Sequence, residues 1–207
     1  MRKYILAGLL ITLCVAAKAQ TKSYTFVFLN NKPDKEVLSK EKSDSIMQGH
    51  MNNIGRLAKE GKLLAAGPFE GGGGIFILNT TSVDEANQWL ASDPGVKAKR
   101  WNLEVLPYTV STGSVCPVGE KFEMVFYQFI RLPSEAAGGT PEDQKKLVEA
   151  LEKLHVQNSV IHSGVFGDNL GGIIVLKPEV ILVGPAFEQG KIETKKLYIA
   201  KGSFCEK

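Results

Sequence analysis

Apolar and polar residues along the chain follow two spacings, one typical of strands and one typical of helices. Short apolar, β-prone runs that end at Asn, Pro or Gly predict strands. Ile46, His50, Ile54 and Leu57 recur at helical spacing, which predicts that they share one face of a helix. The first half of the chain therefore predicts the βαββαβ order of a ferredoxin-like unit. Its elements are expected over residues 24–29, 35–61, 62–69, 74–78, 81–92 and 101–108.

The same pattern begins again after a linker at residues 111–117. Further strands are predicted over 122–130, 159–166, 172–176 and 192–199, with a helix over 141–156. Residues of the same type recur at matching positions of the two halves, among them Gly67 with Gly164, Phe69 with Phe166, and 74–78 with 172–176. The interval that holds the second helix is shorter in the second half, so that helix is shortened or lost there. We therefore predict a tandem repeat, with repeat one at residues 20–110 and a degenerate repeat two at 118–207.

The first 19 residues have the pattern of a secretory signal peptide. Arg2 and Lys3 precede an uncharged apolar stretch, and the small residues Ala17 and Ala19 form a signal-peptidase site. A transmembrane anchor is the first alternative, but a span needs about 20 apolar residues and this stretch is shorter. A lipoprotein is the second, but Leu13 is larger than the residue expected before a lipidated cysteine. We expect an exported protein that begins after Ala19 and is periplasmic or extracellular.

The composition is that of an ordinary globular protein, with 43% hydrophobic and 23% charged residues in a chain of 207. This composition excludes a disordered chain and a multi-span membrane protein. The formal net charge of +3 includes three basic residues of the signal segment, so 25 minus 3 leaves 22 basic residues against 22 acidic ones. A neutral chain has no electrostatic attraction to nucleic acid or to an anionic membrane, and neither is expected as a partner.

Cys116 and Cys205 are the two cysteines of the predicted mature chain. The first and last strands of a ferredoxin-like sheet are antiparallel neighbours, so the start of one meets the end of the other. Cys116 lies six residues before the first predicted strand of repeat two, and Cys205 lies six residues after its last. An oxidising compartment would favour a disulfide between them. Two unrelated thiols on flexible ends are the alternative.

Residues 50–108 resemble a YCII-related domain. The resemblance rests on His50, the step Gly61–Leu64, Gly67-Pro68-Phe69 with the glycines that follow, the strand Ile75–Leu78, Glu85-Ala86, Asp93-Pro94 with Val96-Lys97-Ala98, and the closing Leu106-Pro107-Tyr108. Such domains resemble the dimeric α+β barrel class, in which two ferredoxin-like units join their sheets around a shared interior. Together with the tandem repeat, the resemblance implies an α+β fold in which two βαββαβ repeats pair as an intramolecular dimeric α+β barrel, a monomeric pseudo-dimer.

The resemblance also implies a functional pair, His50 and Asp93, because a His and an Asp in a pocket suggest enzymatic roles for the family. One relative removes chloride from a chlorinated hydroxyhydroquinone. Imidazole exchanges a proton near pH 7, and a carboxylate can fix its tautomer and stabilise its cation. Repeat two has Leu147 and Gly184 at the matching positions, so we expect a single site. The segment expected to bind a ligand consists of Gly67, Pro68, Phe69, Gly72 and Gly73.

Structural roles alone could also explain the pair, with His50 as a core histidine bonded to a backbone carbonyl and Asp93 as a turn residue. Two functions therefore stay open. The first is a lyase or isomerase that acts on a small cyclic or aromatic substrate without a cofactor, with His50 as general acid or base. The second is a ligand-binding or scaffold module without turnover. His155 and His162 are expected at the surface, and no Cys/His motif predicts a metal site.

Overall fold

The structure is a computed structural model, and it describes residues 22–119, 121–132, 158–167, 170–180 and 192–206. The predicted signal segment lies outside the described residues, as do the helix predicted over 141–156 and the positions of Leu147, His155 and Gly184. Within the described ranges, no helix is both long and apolar enough to cross a membrane.

The described residues form a mixed α+β fold. Its strands are β1 (Ser23–Asn31), β2 (Leu63–Pro68), β3 (Gly74–Leu78), β4 (Trp101–Thr112), β5 (Met124–Leu132), β6 (Val160–Phe166), β7 (Gly172–Leu176) and β8 (Glu193–Ala200). Its helices are α1 (Lys40–Lys59), α2 (Val83–Leu90) and α3 (Pro94–Lys97). The bounds of β3 and β7 are those predicted from the sequence.

Side-chain caps fix where the two longer helices begin. Ser39 Oγ accepts the backbone N–H of Lys42 at 3.3 Å, so α1 begins later than its apolar pattern predicts. Ser82 Oγ accepts the N–H of Glu85 at 3.2 Å at the start of α2. Both caps satisfy backbone donors that have no partner within the first turn of a helix.

The structure corrects two further sequence predictions, at the ends of α2 and β4. The Asp93-Pro94 turn, expected only to end the preceding helix, also begins α3, because Asp93 caps that helix and Pro94 has no N–H to satisfy. The linker expected from Ser111 begins later, because β4 continues to Thr112, which pairs with Ser163 of β6. Pairing with a distant strand thus extends β4 beyond the part that its own apolar pattern predicts.

All eight strands belong to one antiparallel sheet with the order β2-β3-β1-β4-β6-β7-β5-β8. The two outer strands of this sheet also meet. Phe69, directly after β2, forms an antiparallel bridge with Leu197 of β8. The N–H of Glu70 donates to the carbonyl oxygen of Lys196 at 2.9 Å. The sheet therefore curves until its first and last strands are in contact.

Strands β1 and β3 are buried on both faces, because their side chains alternate between two apolar layers. The layer beneath α1 and α2 contains Val27, Leu29, Phe76 and Leu78. The opposite layer is an aromatic-rich interior cluster to which both halves contribute, including Phe26, Phe28, Ile75 and Ile77 with Phe129, Phe166, Leu197 and Ile199. The second half of the chain therefore covers the sheet face of the first half that carries no helix.

An ion pair at one end of the interior cluster joins the two halves directly. Arg131 of β5 donates to both carboxylate oxygens of Glu104 of β4, at 2.9 and 2.6 Å. The guanidinium carbon of Arg131 also lies 4.3 Å from the ring centre of Phe28. The hydrogen bonds from Arg131 hold the pKa of Glu104 below its usual value. Within the sheet, Phe28 lies opposite Glu104, and Phe129 lies opposite Lys195.

Cys116 and Cys205 form a disulfide, with their Cα atoms 5.3 Å apart, which confirms the predicted pairing. The bond joins the segment after β4 to the turn after β8. The N–H of Cys116 also donates to the carbonyl oxygen of Ser203 at 2.9 Å. Phe204, beside Cys205, is 2% exposed and belongs to the interior cluster. The disulfide therefore holds the turn that carries Phe204 against one end of that cluster.

We predict that the Cys116–Cys205 bond contributes about 4–5 kcal/mol to the free energy of unfolding, because it closes a loop of 89 residues. Denaturant unfolding with and without a dithiol reductant measures this contribution. The double variant Cys116→Ala, Cys205→Ala is the control, since it should match the reduced protein and should not respond to the reductant. Equal stability of the oxidised and reduced protein would contradict the prediction.

A second prediction concerns the contact between β2 and β8. A Cβ at Gly67 would lie 2.5 Å from the carbonyl oxygen of Tyr198, so we expect Gly67→Ala to lower the free energy of unfolding by about 1–3 kcal/mol. Gly55 in α1 has no atom within 4 Å of its added Cβ, so Gly55→Ala should raise stability by about 0.5–1 kcal/mol. Urea denaturation of both variants tests the contact, which would be refuted if Gly67→Ala were as stable as Gly55→Ala.

Candidate functional site

His50 and Asp93, the pair expected from the resemblance, are in contact. His50 lies in the middle of α1 on its buried face, together with Asn53 and Leu57. Asp93 lies between α2 and α3 and is fully buried. His50 Nδ1 and Asp93 Oδ2 are 2.9 Å apart. The helical spacing of α1 and the cap of α3 thus bring together two side chains that are 43 positions apart in the sequence.

The Asp93 carboxylate accepts four hydrogen bonds. Oδ1 accepts the backbone N–H groups of Gly95 at 2.8 Å and Val96 at 3.1 Å, which are the capping bonds of α3. Oδ2 faces His50 Nδ1 and also accepts from Asn53 Nδ2 at 3.1 Å. Burial acts to raise the pKa of Asp93, but the interaction with His50 and the other hydrogen bonds outweigh it and hold the pKa below its usual value. Asp93 is therefore a carboxylate at neutral pH.

The charge of Asp93 determines the tautomer of His50. An ionised carboxylate only accepts hydrogen bonds, so His50 donates from Nδ1–H, and the neutral ring carries its lone pair on Nε2. Asp93 is the one hydrogen-bond partner of the His50 side chain within the residues that the structure describes. The side chain is 9% exposed, so only a small part of it is accessible from solvent. The arrangement can therefore hold a base in one tautomer and stabilise its cation.

Aromatic rings surround His50 on the side of the sheet. Phe76 of β3 stacks on the imidazole with 5.9 Å between ring centres, and the ring centre of Trp101 of β4 lies 4.7 Å away. Gly95 allows Trp101 to pack closely, because a Cβ at that position would overlap its ring. The pair thus lies between α1, α3 and the helix-covered face of the sheet. The only charged group in contact with the imidazole among the described residues is the carboxylate of Asp93.

The glycine-rich residues predicted to bind a ligand lie elsewhere. Gly67 and Phe69 contact β8, and Phe69 belongs to the interior cluster. Gly72 and Gly73 form the turn between β2 and β3 with φ angles of 104° and 75°, packed against the end of β1. Pro68 is exposed. The described contacts of these residues are with β8 and β1, and their ligand-binding role stays a prediction.

The sequence prediction of a surface position for His162 is wrong. His162 is fully buried, its Nε2 lies 2.7 Å from the hydroxyl of Tyr108, and its ring stacks on Phe204 with 4.8 Å between centres. Burial lowers the pKa of His162 to about 4, although the charge of Glu206 opposes the shift. Strand alternation was the available signal, since His162 shares a face of β6 with the buried Phe166. The described residues contain no group of three side chains that could hold a metal ion.

We predict that Asp93→Asn lowers the free energy of unfolding by about 2–4 kcal/mol at pH 7, because an amide would turn a donor toward Asn53. Folding lowers the pKa of Asp93 from its ordinary value of 3.8. The ionised carboxylate therefore makes its full contribution to the free energy of unfolding above pH 3.8, and this contribution is lost as the pH falls through the folded-state pKa. Urea denaturation at pH 7 and pH 3 should give a smaller difference from the wild type at pH 3. Asp34→Asn, at a side chain that is 79% exposed, is the matched control. A difference from the wild type that is the same at both pH values would refute the assignment.

One of the three comparisons with known proteins agrees with the resemblance. Residues 24–109 match the sequence model of the YCII-related domain family. No curated protein matches the chain. Two crystal structures of proposed monooxygenases are similar in outline. The one from Lactobacillus acidophilus NCFM has 13% sequence identity and a TM-score of 0.45, and the match covers 87% of this chain and 94% of that chain.

The second comes from Fusobacterium nucleatum subsp. nucleatum ATCC 25586, with 12% identity and a TM-score of 0.45, over 86% of this chain and 92% of that one. Likeness at this level carries no argument about activity. The family match is more informative, because it spans strands β1–β4, helices α1–α3 and the hydrogen-bonded pair of His50 and Asp93. The similarity to the YCII-related domain family is therefore a property of residues 24–109, which make up less than half of the chain.

Proposed function

We propose that the protein acts on a small molecule with His50 as general acid or base and Asp93 as the carboxylate that orients it. The observation that carries this proposal is the 2.9 Å contact between His50 Nδ1 and a buried Asp93 that is ionised at neutral pH. A fixed Nδ1–H leaves Nε2 as the atom that exchanges a proton with a substrate. The carboxylate would stabilise the imidazolium that forms when Nε2 takes up that proton.

The proposed chemistry is that of a lyase or isomerase. Nε2 of His50 would remove a proton from one substrate atom and return it to another, or to a leaving group, so the ring is unchanged at the end of the cycle. These steps transfer a proton and need no metal or organic cofactor. The partly exposed ring of Trp101 beside the imidazole favours a small cyclic or aromatic substrate.

The proposed architecture is an intramolecular dimeric α+β barrel built from two ferredoxin-like repeats, at residues 20–110 and 118–207. Its support is the strand order, since β2-β3-β1-β4 in the first half is matched by β6-β7-β5-β8 in the second. The pairing of β4 with β6 and the contact of β2 with β8 would be the two seams of the barrel. In this arrangement one chain performs the role of two subunits.

Export of the mature protein, after removal of residues 1–19, is also part of the proposal. The Cys116–Cys205 disulfide supports it, because such bonds persist in the periplasm and outside the cell and are rare in reducing compartments. Mass spectrometry of the protein purified from the culture medium or periplasm of a bacterial host tests both points. The expected product begins at Gln20 and has no free thiol.

Ligand binding without turnover is the second candidate function. It is favoured by the burial of the pair, since His50 is 7% exposed and Asp93 is not exposed at all. In addition, Asp93 already has a structural role as the cap of α3. Only a small part of the His50 side chain is accessible to a substrate, whereas a ligand held beside the partly exposed ring of Trp101 would not need to contact Nε2.

A compound screen separates the two functions. Small cyclic and aromatic compounds that raise the melting temperature of the mature protein are first selected, because a ligand of the native state stabilises it. Their conversion is then followed by NMR. We predict that His50→Gln lowers the rate of conversion by about 10²–10⁴-fold, the usual contribution of a general acid or base.

The matched control for this screen is Met51→Gln, the next position of α1, where the side chain is 54% exposed. This variant should convert the compound at the wild-type rate. Conversion by His50→Gln at the wild-type rate would refute the catalytic role of His50. Stabilising compounds that are never converted would instead support the binding module.

A further inference from the structure

Asn53 contacts the His50–Asp93 pair in a way that the sequence prediction did not include. It lies one turn after His50 on α1 and is 7% exposed. Its Nδ2 donates to Asp93 Oδ2 at 3.1 Å, the same oxygen that faces His50 Nδ1. One carboxylate oxygen is therefore shared between the imidazole and a buried amide.

Arg56 determines which way the Asn53 amide faces. A guanidinium nitrogen of Arg56 donates to Asn53 Oδ1 at 2.8 Å and to Ser92 Oγ, also at 2.8 Å. A guanidinium has no acceptor, so the amide atom that faces it must be the oxygen. Asn53 Nδ2 must then face Asp93. The oxygen and nitrogen of an amide are usually hard to tell apart, but here a pure donor faces one and a pure acceptor faces the other, so the orientation of Asn53 is fixed.

We propose that Asn53 is a positioning residue that sets the proton affinity of His50 through the shared oxygen of Asp93. The second donor spreads the negative charge of the carboxylate over two hydrogen bonds, so Asp93 attracts the imidazolium form of His50 less strongly. Asn53 also holds Oδ2 in the direction of Nδ1, which keeps the lone pair on Nε2. This inference deepens the proposed function, and it rests on that function only in assigning a use to the pair.

The other groups around the imidazole do not compete with this effect. Phe76 and Trp101, which face it from β3 and β4, carry no charge and do not titrate. Arg56 is the nearest cation connected to the pair, and its second terminal nitrogen donates to Glu60 at 2.7 Å. The charge of Arg56 therefore acts on the pair through Asn53, which accepts from Arg56 and donates to Asp93.

The experiment compares Asn53→Asp with Asn52→Asp by NMR titration of the His50 ring. Both variants add the same charge to α1, but Asn52 is exposed and its side chain accepts from Gln48 at 3.0 Å. At position 53 the new carboxylate replaces a donor to Asp93 with a second negative charge. We expect Asn53→Asp to raise the pKa of His50 by about one to two units. Asn52→Asp should shift it by less than about half a unit, because exposed charges are screened.

A second pair of variants keeps the proposal testable if Asn53→Asp does not fold. Arg56→Gln removes the charged donor to Asn53 Oδ1, which keeps the hydrogen bond from Ser92 Oγ at 3.0 Å. Lys59→Gln removes the same charge from an exposed site in the last turn of α1. Arg56→Gln should raise the pKa of His50 more than Lys59→Gln does. The positioning role is overturned if the two variants of a folded pair shift the pKa of His50 equally.

The result also separates this inference from the proposed function, because the titration needs no substrate. The expected shifts together with full conversion by His50→Gln would leave the positioning role intact and refute catalysis by His50. Equal shifts in the matched variants together with loss of conversion in His50→Gln would refute the positioning role and leave the catalytic proposal standing.

Discussion

The apolar side chains on both faces of β1 and β3 are the constraint on which the rest of the structure depends. A strand of this kind is stable only if both of its faces are covered, since burial of apolar surface is the main favourable contribution to folding. Helices α1 and α2 cover one face, and the second half of the chain covers the other. Each layer then contains its own buried histidine, with His50 beneath the helices and His162 in the interior. The division of the chain into halves thus separates the candidate site from the interior cluster.

The regular parts of the fold could be predicted because their signals are local. The runs that form β3 and β7 contain five apolar or small residues between turn signals, and their bounds agree with the prediction. The extension of β4 to Thr112 was missed, because it depends on pairing with β6, which lies about 50 positions later. The burial of His162 was missed for the same reason, since its partner Tyr108 is 54 positions away. Contacts between distant segments decide both cases, and no local pattern encodes them.

The candidate site was only partly predictable. Helical spacing placed His50 on the buried face of α1, but the partnership with Asp93 came from a family resemblance and not from periodicity. In the structure Asp93 is both a capping turn residue and the hydrogen-bond partner of His50, because Oδ1 caps α3 while Oδ2 faces His50. A single carboxylate has enough acceptor positions for both tasks. Asn53 was overlooked because an amide on a helix has no distinctive spacing, and its partners became visible only in three dimensions.

The ion pair between Arg131 and Glu104, at the rim of the interior cluster, makes the two halves of the chain unequal in charge. Glu104 lies opposite Phe28 in the first half, and Glu193 lies opposite Arg131 in the second. In the proposed barrel Phe28 and Arg131 are corresponding positions, since they pair with Ile75 and Ile173, so an uncharged ring in one half corresponds to a cation in the other. A homodimer could not have this arrangement, because identical subunits carry identical residues at equivalent places. A single chain is free of that rule, and Arg131 can bind Glu104 at one half of the rim without being duplicated at the other. Joining two halves in one chain thus permits different charges at corresponding positions, which two identical subunits could not have.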